Sequence, residues 1–218
     1  MNMIFTLVSE ATLETLAMVF FSTIFSLILG LPLGILLCVT DGETGIMKKP
    51  VLNQVLTRIV NVLRSFPFII LMILLFPLSR KIVGTSIGTT ATIVPLSIAA
   101  APFVARIIET ALKEVDPGVV QAARAMGSTN MQIIWKVLLP EAMPSLVSGI
   151  TLTIINLIGY SAMAGAIGGG GLGDLAIRYG YQRFRTDIMA VSVIVILVLV
   201  EVIQIIGTKI SSRLLAKR

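Results

Sequence analysis

A chain of 218 residues that is 56% hydrophobic and only 13% charged, with a mean hydropathy of +1.00, is too apolar to be a soluble domain. Its net charge of +6 would suit nucleic acid only if the basic residues clustered on one soluble face. They lie between apolar runs instead, so no nucleic-acid partner is expected and the chain reads as a multi-pass membrane protein surrounded by lipid. With no histidine and one cysteine, His-based metal sites, a His general base and a disulfide framework are all excluded, and Cys38 reads as a small buried apolar residue.

The first Lys or Arg is Lys48, so the start of the chain lacks the basic opening of a cleavable signal and carries Glu10 and Glu14 instead. An acidic start before a long apolar run predicts a first helix with its N-terminus outside. A membrane-spanning helix needs about 20 predominantly apolar residues, and five segments qualify: residues 13–37, 55–78, 89–108, 145–167 and 188–208. The expected fold is an all-α polytopic membrane protein of one transmembrane domain, residues 1–218. Five spans put the termini on opposite sides.

Counting Lys and Arg between spans assigns the sides. With the N-terminus outside, Lys48, Lys49, Arg58, Arg64, Arg106, Lys113, Arg124, Lys136, Lys209, Arg213, Lys217 and Arg218 fall inside, against Arg80, Lys81, Arg178, Arg183 and Arg185 outside, 12 to 5. The C-terminus and the polar segment 109–144 are therefore expected in the cytoplasm.

In the first span, Gly30 and Gly34 have a G-x-x-x-G spacing that lets another helix approach closely, although small residues in an apolar helix are the simpler reading. In the second, residues 66–78 alone are too short to cross, so the helix is expected to begin near Val55, to contain Asn61, Arg64 and Ser65, and to bend at Pro67. A charge inside a span pairs or lines an aqueous cavity, which makes Arg64 a translocation-path candidate; snorkelling to the inner interface is the competing reading. Glu201, at comparable depth in the last span, is a candidate partner for Arg64 or a hydrated surface carboxylate. Pro95 and Pro102 interrupt the third span, and irregular helices favour a pathway over a lipid-facing position.

Residues 116–140, DPGVVQAARAMGSTNMQIIWKVLLP, follow. Asp116 and Pro117 are a strong helix start. Val119, Ala122, Ala123 and Met126 recur at i, i+3, i+4 and i+7, giving a small apolar face, and Gly127 ends this short helix. Thr129 to Gln132 fit a capping box for a second helix that carries Ile133, Ile134, Trp135 and Val137 and is expected to stop at Pro140. The second helix suits packing on the protein's own bundle. The first is a poor core element and suits a groove on a partner.

The run QAARAMG, then nine residues, then VLLP, resembles the EAA loop of the integral membrane subunits of bacterial ATP-binding cassette importers. Gln121 stands where that pattern has an acidic residue, and Val137 where it has isoleucine. RSFPFIILMILLFPLSRKIVGTSIG, APFVARIIETAL and GYSAMAGAIGGGGLGDLAIRYGY are similar to the methionine importer permeases of that class. The resemblance implies that the first helix of the loop is the coupling helix, with Val119, Gln121, Ala122, Ala123, Arg124, Met126 and Gly127 meeting a cytoplasmic ATPase. It implies a homodimer in the bacterial inner membrane, two ATPase subunits and an extracytoplasmic methionine-binding protein. It also implies that the fourth span lines the path, so Tyr160, Ser161 and Met163, with Asn156 beside them, are candidate lining residues.

Gly168 to Gly171 are not a nucleotide loop, since they follow a membrane helix and lack a following Lys and Ser or Thr. No G-x-x-x-x-G-K sequence occurs, so no cofactor is expected in this chain, and ATP and magnesium belong to the partner ATPase. No catalytic residue is expected either. Arg178, Arg183 and Arg185, with Tyr179, Tyr181 and Phe184, suit docking of a binding protein or anchoring in lipid headgroups. The alternative functions are an ion-coupled secondary transporter, which commonly has internal repeats and a deep acidic site, an importer permease for a different amino acid, and a membrane scaffold.

Overall fold

The computed structural model describes residues 2–216; Lys217 and Arg218, counted above with the inner charges, lie outside the described residues. Every regular element among the described residues is helical. Four helical segments are long and apolar enough to cross a membrane, and a bent pair makes a fifth span if it is taken as one.

Helix α1 runs over Asn2–Val39, longer at its start than residues 13–37. It packs most extensively on α4, Thr89–Lys113. The close approach is set by Gly30 and Gly34. A Cβ on Gly30 would come within 2.8 Å of the Ala101 carbonyl oxygen, and one on Gly34 within 2.6 Å of that of Ala105. The glycines are thus a helix-contact surface, not merely tolerated small residues.

The expected single bent second span is two helices. Helix α2, Pro50–Ser65, and α3, Phe68–Val83, meet at 102°. Pro67 disfavours the helical region for the residue before it, and both Phe66 and Pro67 are extended. The break is more complete than the loss of one hydrogen bond would produce. Helix α4 stays continuous through Pro95 and Pro102 and is the most deeply buried of the candidate spans.

Helix α5, Pro117–Ala125, begins as the sequence suggests: the Asp116 carboxylate accepts a hydrogen bond from the Gly118 amide at 2.7 Å. Gly127 follows with φ of +81°. Helix α6, Asn130–Ile133, has the full capping box between Thr129 and Gln132. It does not stop at Pro140. A π-helical turn over Ile134–Leu138 leads directly into α7, Leu139–Gly165. There the Leu139 amide donates to the Ile134 carbonyl, five residues back, and the widened turn gives the Pro140 ring room to continue the helix.

The glycine-rich segment after α7 turns through positive φ at Gly168, Gly170 and Gly171 and enters the short helix α8, Gly171–Leu175. Two side chains of α1 hold it: the Gly171 amide donates to Glu14 Oε2 at 2.7 Å and the Leu172 amide to Thr15 Oγ1 at 2.9 Å. A second π turn, Ala176–Tyr181, precedes α9, Thr186–Leu215, whose apolar surface is mostly exposed. The apolar core has one large cluster at the α5 end, from Cys38, Val104, Ile108, Ala123, Ile133, Ile134 and Leu138 among others. A second, around Met18, Leu96, Leu157 and Ile158, lies where α1, α4 and α7 meet.

Candidate functional site

Two regions carry the candidate residues. In the first, α5 lies on the α5-end core with Ala123 turned inward, 4% exposed, while Val119 is 40% and Met126 80% exposed. The small apolar face is therefore split. Ala123, together with half-buried Val120, anchors the helix to its own chain. Val119, Ala122 and Met126 present the free face, and Gln121 and Arg124 border the loop between α1 and α2. Arg124 Nη2 donates to the Ile46 carbonyl at 2.8 Å, tying α5 to that loop.

An ion network runs from the same loop to α4 and α2. Glu109 is 5% exposed and accepts from Arg106 Nη1 at 2.6 Å and from Lys113 Nζ at 2.9 Å. Lys113 also reaches Asp41 in the loop at 2.8 Å. Arg106 Nη2 donates to Asn61 on α2 at 2.9 Å. The Lys113 hydrogen bond holds the Asp41 carboxyl well below the usual carboxylate range, helped by the Thr44 and Glu43 amides. The i, i+3 and i, i+4 spacing of Arg106, Glu109 and Lys113 was visible in the sequence. That Glu109 is buried was not, because it depends on which face of α4 meets α1.

The second region is a cleft of about 270 Å³ at the α2–α3 break, lined by Leu63, Arg64, Phe66, Phe68, Leu71, Ala99, Phe103, Asn156 and Tyr160. Phe103 is near the middle of α4, ten residues or about 15 Å from its end at Lys113. Phe68 and Tyr160 stack with ring centroids 4.5 Å apart and planes at 9°. The Arg64 guanidinium lies over the Phe103 ring at 5.9 Å. Below it a second cleft, about 360 Å³, shares Arg64 and Phe103 and continues past Arg106, Thr110, Glu114 and Ser145 towards the α5 end. Both clefts mix rings and aliphatic side chains with polar groups: Arg64, Asn156 and Tyr160 in the upper, and Arg64, Arg106, Thr110, Glu114 and Ser145 beside Phe103, Ile107 and Ala111 in the lower.

Arg64, Asn156 and Tyr160 are thus brought together. Ser161 and Met163 are not part of that cleft: Ser161 is buried and donates to the Ile158 carbonyl of its own helix, and Met163 is half exposed nearer the α8 end. Arg64 and Glu201 form no ion pair in the single chain, since Glu201 lies exposed on α9. The lining by Phe66, Phe68 and Phe103 was hidden in the sequence because aromatic residues in apolar runs do not announce which face they take. Among the described residues no group of three or more His, Cys, Asp or Glu is placed to hold a metal ion.

The family model described as "binding-protein-dependent transport system inner membrane component" matches residues 30–217. The chain belongs to this family. Its members are multi-pass inner-membrane permease subunits, and the ion-coupled and scaffold alternatives fall with that assignment. Among curated relatives, a probable D-methionine transport system permease protein MetI of Vibrio cholerae is 53% identical over 201 residues, 92% of this chain and 89% of the relative. The methionine import system permease protein MetP of Bacillus subtilis is 51% identical over 160 residues, 73% of this chain and 72% of its own. Among solved structures, the MetNI methionine ABC transporter in an inward-facing conformation matches with a TM-score of 0.95 and 46% identity over 98% of this chain and 99% of that one. An amino acid ABC transporter at 20% identity and a TM-score of 0.78 shares the fold.

Proposed function

We propose that this permease subunit forms the translocation path of an ATP-driven methionine importer in the bacterial inner membrane, working by alternating access as a dimer of two copies. The observation that carries the reading is the nearly full-length likeness to the inward-facing MetNI methionine ABC transporter. The broken α2–α3 pair counts as one span, giving five, with the N-terminus outside and the C-terminus in the cytoplasm as the charge asymmetry requires.

On this reading α5 is the coupling helix. Val119, Ala122 and Met126 make the contact with a cytoplasmic ATPase, Gln121 and Arg124 flank it, Gly127 allows the turn that ends it, and Ala123 fixes it to the permease. Two ATPase subunits supply ATP and magnesium, and an extracytoplasmic binding protein delivers substrate to the side where Arg178, Arg183 and Arg185 lie. ATP-driven closure of the ATPases moves α5, and Arg124, Lys113 and Glu109 pass that movement to α4 beside the clefts. Arg64, Asn156 and Tyr160 line the path, and Ser161 and Met163 belong to the helix that gates it.

The test is co-purification. The tagged chain expressed in its native membrane is expected to bring down an ATP-binding cassette ATPase and to yield a complex whose ATP hydrolysis rises with a methionine-loaded binding protein. Recovery of the chain without an ATPase, or stimulation by another amino acid and not by methionine, overturns the proposal.

A further inference from the structure

We infer that the upper cleft, between Arg64 and the stacked Phe68 and Tyr160 rings, is a resting site for one apolar amino acid, held by its carboxylate on Arg64 and by its side chain on the aromatic wall. This deepens the transport reading and rests on it.

Three polar groups from two elements, α2 and α7, converge. Arg64 sits at the end of α2 beside Phe103 of mid-α4, its side chain exposed where the two clefts meet, and a charge within a span pairs or lines an aqueous cavity. Among the described residues it makes no hydrogen bond or ion pair, only the ring contact with Phe103. The neighbouring basic residue of α4, Arg106, is by contrast already engaged by Glu109 and Asn61. Among the described residues Asn156 and the Tyr160 hydroxyl also have no hydrogen-bond partner, and both line the same cleft. A guanidinium, a carboxamide and a phenol therefore converge on a space otherwise lined by Leu63, Phe66, Phe68, Leu71, Ala99 and Phe103.

That donor set fits a zwitterion. The Arg64 fork matches a carboxylate bidentately, and the Asn156 carboxamide oxygen accepts from an ammonium. The wall of rings takes an unbranched apolar or thioether side chain, since sulfur makes favourable contacts with aromatic rings. The space, about 270 Å³, is below the roughly 300–1,000 Å³ of sites for drug-sized ligands, so it suits one amino acid and not a peptide. The absence of an acidic group from the lining disfavours cationic side chains. Release follows from the geometry: Arg64 and Phe103 also line the lower cleft, which continues past Arg106 towards the α5 end, so a carboxylate on Arg64 is already at the entrance to the inward exit.

The test uses the intact complex with its ATPase and binding protein in proteoliposomes, wild type beside Arg64→Gln, Arg64→Lys and Tyr160→Ala. Radiolabelled L-methionine uptake per ATP hydrolysed is measured, together with equilibrium dialysis of the same label against the detergent-purified complexes. Arg64→Gln is expected to assemble and to hydrolyse ATP within about twofold of wild type, yet to transport at least tenfold less methionine per ATP. It is also expected to lose one class of bound label that Arg64→Lys partly restores. Tyr160→Ala is expected to weaken that binding severalfold. Unchanged binding and uptake in Arg64→Gln, or a parallel loss of assembly and ATP hydrolysis showing that Arg64 serves packing, overturns the site. Failure of the wild-type complex to take up methionine overturns the transport reading instead.

Discussion

Glu109 is the residue on which the α5-end architecture turns. Its carboxylate is 5% exposed and is bonded to two cations whose other contacts lead to the α1–α2 loop and to α2. Removing its charge strands neither cation, because Arg106 keeps Asn61 and Lys113 keeps Asp41. Glu109→Gln is therefore expected to cost about 2 kcal/mol, less than the roughly 3–5 kcal/mol of breaking a fully buried pair. The thermal midpoint of the purified complex measures it, and transport per ATP should fall more than ATP hydrolysis. Asp41 gives a pH prediction. A carboxylate whose folded-state pKa is depressed contributes stability that is complete above its unfolded value, near 3.9, and is lost as pH falls below that. The difference in midpoint between wild type and Asp41→Asn is thus expected to be constant from pH 8 to pH 5. A difference that shrinks across that interval contradicts the Lys113 contact. The local spacing of Arg106, Glu109 and Lys113 could be read from the chain, but their link to Asp41 joins residues 72 apart and only the fold shows it.

At the scale of elements, α5 has one face anchored on the protein's own core and one left exposed, the face proposed above to meet the ATPase. Ala123→Glu places a charge in the protein's own core, so it is expected to lower the yield of folded permease and says little about a partner. Met126→Glu alters a side chain that is 80% exposed. It is expected to leave the permease folded and to cut ATPase recovery in pull-downs at least fivefold; unchanged recovery would remove α5 from the interface. Much of this region was legible: the Asp116 cap, the Gly127 turn and the Thr129 capping box all appear where local chemistry puts them. What was not legible came from packing and from backbone accommodation. The inward turn of Ala123 depends on the core beneath it, Pro140 continues a helix because a π turn precedes it, and Pro67 breaks the second span into two helices because Phe66 is forced extended as well. Gly30 and Gly34 were legible as a motif, whereas the partner that requires them, α4, was not.

At the scale of the whole molecule, one chain leaves its clefts open and broad apolar surfaces on α2, α3 and α9 exposed, as expected of a subunit completed by lipid and a second copy. Apolar composition identified the membrane setting, and four of the five expected segments fall on helices long and apolar enough to cross a membrane, the other on the broken pair. The arrangement makes α4 the common element: it packs on α1 through the glycines, carries the Glu109 network at one end and lines both clefts at its middle. On the proposed function, driving such a path almost completely from one state to the other needs about 5.5 kcal/mol of differential binding, to be supplied by nucleotide at the ATPase partners. The most direct measurement is therefore methionine uptake into proteoliposomes holding the permease, its ATPase and loaded binding protein, with and without ATP. Accumulation is expected to require ATP and to stop when the ATPase cannot hydrolyse it. Uptake that persists without ATP, or without the ATPase subunit, would contradict the proposed function.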